Sequence, residues 1–208
     1  MRTSILILLA SLLVSASGAR AAEYDRPPGS LFAVLDLGVS WASASVDAND
    51  VTVADTDPQA GATWGFRLGT AITEILALGI DYVGYKSVED QPEVFDKIES
   101  EYWIIGPSLA WYPFEGGLYA RGLLGWGGVD FRIQDEGTVG RASEDALGLS
   151  GSIGYEIPVN TLLSLGLELD YVWMNVGEVE VADGVGGTES ADFGFSAWAV
   201  SAFILMNY

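Results

Sequence analysis

The chain has 208 residues, about one domain's worth, with 29 acidic residues against 9 basic ones and a formal charge of −20. It contains no Cys and no His, which excludes disulfides and thiolate metal sites and removes the commonest general base and transition-metal ligand. So negative a chain also argues against a nucleic-acid partner, because binding nucleic acid rests on Lys and Arg neutralising phosphates.

Residues 1–21 read as a secretory signal peptide. Arg2 supplies the positive start, Ile5 to Val14 the apolar core, and Ala19-Arg20-Ala21 a small-x-small cleavage site. The apolar run falls short of the ~20 residues that a helix needs to cross a bilayer. Loss of Arg2 and Arg20 would leave 7 of the 9 basic residues against 29 acidic ones, a formal charge of −22 on residues 22–208.

The remainder reads as one β domain of eight strands. The first runs from about Leu31 to Trp41, with Leu31, Leu35, Leu37 and Val39 on one face and Asp36 on the other. The second, from about Ala62 to Ile72, alternates Trp64, Phe66 and Leu68 with Gly65, Arg67 and Gly69, and the third, Ile75 to Lys86, sets Leu78 and Ile80 against Asp81. Trp103, Ile105, Leu109 and Trp111 mark the fourth strand, and Leu118, Leu124 and Trp126 the fifth, with Arg121 behind them. Leu147, Leu149 and Ile153 mark the sixth. The seventh, Leu162 to Trp173, shows the pattern most plainly: Leu163, Leu165, Leu167, Leu169, Tyr171 and Trp173 share one face, and Ser164, Gly166, Glu168 and Asp170 the other. The eighth alternates Trp198, Val200, Ile204, Met206 and Tyr208 with small residues and Phe203.

Tight turns are expected at Thr73-Glu74, Pro113 to Gly116 and Pro158 to Thr161, and polar surface loops over residues 43–61, 87–100, 132–144 and 176–191. Long and short connections therefore alternate, as in an up-and-down meander. No helix or second sheet is available to cover the apolar face, so that face must meet lipid while the polar face lines a closed barrel. Strands of ~11 residues rising ~3.3 Å each and tilted ~40° match the ~25 Å apolar band of such barrels.

On the outward parity, Trp41, Trp64, Tyr82, Trp103, Trp126 and Trp173 fall near the long-loop end, and Trp111, Tyr155 and Tyr208 near the turn end. Two aromatic girdles are expected there, at the two membrane boundaries. On the inward parity, Asp36, Arg67, Asp81, Arg121 and Glu168 lie at similar depth. They are expected to form a lumen ion-pair network with Arg67 between Asp36 and Asp81. With Tyr102, Tyr112, Tyr119, Phe195 and Phe203 adding bulk, a plugged lumen is expected rather than a pore.

The pattern resembles the small eight-stranded outer-membrane barrels of the OmpA/OmpX type and, more loosely, the OmpW-like and opacity-protein relatives. The resemblance implies an all-β antiparallel transmembrane barrel in the cell outer membrane, a monomer in contact with outer-membrane lipid and lipopolysaccharide. It also implies delivery by the outer-membrane insertion machinery, which reads a terminal aromatic; here Tyr208 stands where Phe is usual. A non-enzymatic structural or surface-interaction role follows, with no cofactor. A narrow channel for small hydrophobic molecules is the alternative that OmpW-like relatives imply. Lipid A-modifying barrels depend on a His beside a Ser, which this chain lacks. The acidic loops suit hard cations, but no spacing matches an EF-hand, and no metal site is expected.

Overall fold

The computed structural model describes residues 27–48, 51–55, 58–91, 95–114, 116–135, 138–182 and 188–208. In chain order the strands are β1 (Leu31–Ala48), β2 (Val51–Asp55), β3 (Gln59–Thr73), β4 (Leu76–Gln91), β5 (Phe95–Trp111), β6 (Leu118–Asp135), β7 (Thr138–Pro158), β8 (Leu163–Ala182) and β9 (Thr188–Asn207). From β3 to β9 each strand pairs antiparallel with the next, β1 pairs with β3, and β9 returns to β1 along a register running from Phe32↔Asn207 to Asp47↔Asp192. The sheet is thus closed into a barrel of eight strands. β2 is a short addition that folds back on the end of β1, pairing Ser45↔Asp55 through Ala48↔Val51.

Closure leaves the eight barrel strands without a free sheet edge, which is what allows strands to cross lipid with their ladder bonds made internally. The side-chain parity shows the same environment. Leu37, Ile80 and Ile153 are 71%, 63% and 62% exposed, whereas Val34, Ile104 and Val172 on the inward parity are fully buried. Such a belt of bare Leu and Ile around a whole molecule is not stable in water.

The strands differ from the sequence expectation in length. The barrel strands have 15 to 21 residues rather than about 11. Much of what reads as loop is paired strand: β4 and β5 stay registered to Gln91↔Phe95, β6 and β7 to Asp135↔Thr138, and β8 and β9 to Ala182↔Thr188. Polar side chains mark a segment as water-exposed, but they do not stop a ladder set in the membrane from continuing, because each further pair satisfies backbone groups at little cost. The result is a set of β-ribbons rising from one end of the barrel.

The opposite end carries tight turns. Between β7 and β8, Asn160 Oδ1 accepts from the backbone N–H groups of Leu162 and Leu163, each at 2.8 Å, the local bond that suits Asn to turns. Between β5 and β6, Gly117 has φ +81°, a conformation that side chains disfavour.

One ladder is interrupted in mid-strand. β5 and β6 pair to Ile105↔Trp126 and resume at Ser108↔Leu123 in the same register, leaving Gly106 and Pro107 unpaired on that side. Pro107 has no N–H to give, and its other neighbour β4 still registers with it at Ile80.

Candidate functional site

The inward faces stack into three layers. Toward the ribbons lies an apolar cluster that includes Val83, Tyr85, Tyr102, Ile104, Leu123, Val172, Met174 and Phe195. Its aromatic centre is Tyr102 stacked on Phe195 at 3.6 Å between ring centroids. Toward the turns lies a second cluster of Phe32, Val34, Ala77, Ala110, Tyr112, Tyr119, Phe203 and Leu205. Strand order puts the charged residues between them: Asp81 lies between Val83 and Ala77 on β4, Arg121 between Leu123 and Tyr119 on β6, and Glu168 and Asp170 lie turnward of Val172 on β8.

Within this ionic layer Arg121 is the hub. Its side chain is 2% exposed, and its guanidinium pairs with Asp81, Glu168 and Asp170, the last at 2.7 Å. Arg67 donates from Nε to Asp81 at 3.1 Å and from Nη2 to both oxygens of Glu168 at 3.3 Å. Ser108 donates to the other oxygen of Asp81 at 2.6 Å, and Tyr119 donates its hydroxyl to Glu168. The two arginines come from β3 and β6, and the carboxylates they share stand on β4 and β8, so the layer ties opposite walls across the lumen.

Arg67, Asp81, Arg121 and Glu168 of the expected network are thus brought together. Asp36 is placed differently. The register sets Val34, not Asp36, opposite Arg67, and the Asp36 carboxylate lies over Gly65 on the neighbouring strand. Arg67 therefore lies between Asp81 and Glu168 rather than between Asp36 and Asp81. Asp170 and the two hydroxyl donors, Ser108 and Tyr119, are members that were not expected. Asp170 shares the inward parity of Glu168 two residues away, a signal available in the sequence.

Of the expected girdle, Trp41, Trp111, Trp126, Tyr155, Trp173 and Tyr208 are exposed on the outer wall. Trp64, Tyr82 and Trp103 are on the same parity but half-buried. Trp64 and Trp103 are covered because their indoles lie across cross-strand glycines, Gly84 and Gly128 respectively.

The glycine at 154 supports the ionic layer indirectly. A Cβ there would collide with the Tyr119 ring, whose hydroxyl is bonded to Glu168. Gly154→Ala is expected to destabilise the barrel by about 1 to 3 kcal/mol, the usual range for overpacking. Urea unfolding in lipid vesicles checks this, with Gly122→Ala, where an added Cβ meets nothing within 4 Å, as the neutral comparison.

The acids of the ionic layer are engaged by guanidinium groups, and no group of three or more acidic, His or Cys side chains able to hold a metal ion occurs among the described residues.

The match to known proteins is at the level of the family. Residues 6–202 match the model of the outer membrane protein beta-barrel domain. The chain belongs to this family. Among solved structures it is similar to Ail, the attachment invasion locus protein of Yersinia pestis, at 12% identity and TM-score 0.52, over 86% of this chain and 99% of that one. It is also similar to Neisserial surface protein A, at 15% identity and TM-score 0.48 over 86% and 97% of the two chains. The protease OmpT of Escherichia coli also aligns, at 9% identity and TM-score 0.47, over 87% and 97%. At these identities the likeness concerns the fold alone. A comparison with the curated proteins finds no sequence match. The protein is thus a small outer-membrane β-barrel, and its strands stand in membrane lipid.

Proposed function

We propose that this outer-membrane barrel is a sealed, non-enzymatic scaffold that presents its acidic β-ribbons at the cell surface, in a structural or surface-interaction role. The observation that supports the reading is the lumen, where an ionic layer lies between two apolar clusters. What remains to meet partners is the ribbon end, whose strands carry acids such as Asp47, Asp90, Asp96 and Glu180. Export would use residues 1–21 as a cleaved signal, and insertion would use the envelope's barrel-assembly machinery. The protein works as a monomer without cofactor, set in outer-membrane lipid with lipopolysaccharide around its ribbon end.

The absence of Cys makes orientation directly measurable. Asp145→Cys, exposed toward the ribbon end, should react with a membrane-impermeant maleimide on intact cells. Glu74→Cys, in the β3–β4 turn, should react only after the outer membrane is permeabilised. The reverse pattern, or recovery of unboiled protein from the periplasm without detergent, contradicts the reading.

A further inference from the structure

We infer that the ionic layer encloses ordered water on its β6–β7–β8 side, held by Arg121, Ser150, Ser152 and Asp170. Although Arg121 makes three ion pairs, its Nε–H is buried without a partner, and so are the hydroxyls of Ser150 and Ser152. Their residues are neighbours in the sheet. Ser152 is registered opposite Arg121 on one side and opposite Asp170 on the other, and Ser150 is the next inward residue toward the ribbons. Buried donors and acceptors are nearly always satisfied, by protein or by ordered water, because an orphaned group keeps its full desolvation cost.

The wall at this place carries only small side chains. The inward face of β7 reads Gly148, Ser150, Ser152, Gly154, with no side chain larger than a hydroxymethyl. At its two ends the space is taken by neighbours, since a Cβ on Gly148 would meet Ile104 and Met174 and one on Gly154 would meet Tyr119. Between them the two serines have no hydrogen-bond partner. Water suits the mixture of groups better than an ion does. Its oxygen accepts from Arg121 Nε–H, and its protons go to Asp170 and the serine hydroxyls, giving it the two to four polar partners that a buried water has. An anion would face Asp170 and Glu168, and a cation would face Arg121. The Ser201 hydroxyl, also without a partner and registered opposite Glu168, marks a second place for water in the same layer.

Water–protein nuclear Overhauser measurements on the labelled full barrel in lipid nanodiscs test this. The expected result is a long-lived water signal at Arg121 Nε–H and at the β-protons of Ser150 and Ser152. Ser152→Val, which fills the space with methyls, should abolish the signal at Arg121 Nε–H while the protein still migrates as a folded barrel when unboiled. Should that variant fail to fold, Ser152→Ala serves, with the signal at Arg121 at least halved. Absence of a water signal at Arg121 Nε–H in the parent overturns the inference. So does a signal unchanged in the folded variant, or one that shifts when sodium is replaced by potassium, which would mark the occupant as an alkali ion.

Discussion

Arg121→Ala is expected to cost the barrel about 3 to 5 kcal/mol, the range found when one partner of a buried ion pair is removed and the others stay charged and unpaired. The substitution leaves Asp170 without a cation and Asp81 and Glu168 with Arg67 alone. Arg67→Ala should cost less, since Asp81 and Glu168 both keep Arg121. Glu74→Ala, at an exposed turn, should stay within about 0.5 kcal/mol of the parent. Urea unfolding in lipid vesicles gives the ranking. An Arg121→Ala midpoint no lower than that of Glu74→Ala would show that the ionic layer does not hold the walls together.

A charge on the outer wall should cost more in the middle of the membrane than at its boundary. Leu169 is 46% exposed on the outward parity of β8, one residue from Glu168 and therefore at the depth of the ionic layer. Leu169→Arg should cost about 2 to 4 kcal/mol, the estimate for a cation at the bilayer midplane, while Leu162→Arg in the turn that precedes β8 should cost about 0 to 1. Folding yield into vesicles and unfolding of the folded fraction give both values. Equal costs would mean that β8 does not cross the hydrocarbon as its parity requires.

The transmembrane parts of the strands were legible because a strand with one face in lipid and one in a crowded lumen must alternate strictly, and Leu163 to Tyr171 alternates without a break. The lengths were not, because Ser, Asp and Gly in residues 43–61 or 176–191 look alike in a loop and in a solvated ribbon. Inward charges were legible as a set, since parity and depth can both be counted along a strand. Partnership inside the set could not be counted. It depends on the register, which puts Val34 opposite Arg67, and on the reach of Arg67 across the lumen to β8, 101 residues further along the chain. Trp64 and Trp103 show the same limit: their partial burial comes from Gly84 and Gly128 on the next strand, contacts that sequence spacing does not express.

The central claim is that the ionic layer and its two apolar covers close the lumen. Single-channel recording on the purified parent barrel in planar bilayers tests it directly, with Arg121→Ala recorded on a matched preparation. The parent is expected to stay nearly silent and the variant to show discrete openings, because removing the hub takes out one of the layer's two guanidinium groups and leaves Asp170 unpaired. Stable, frequent channels from the parent itself would contradict it.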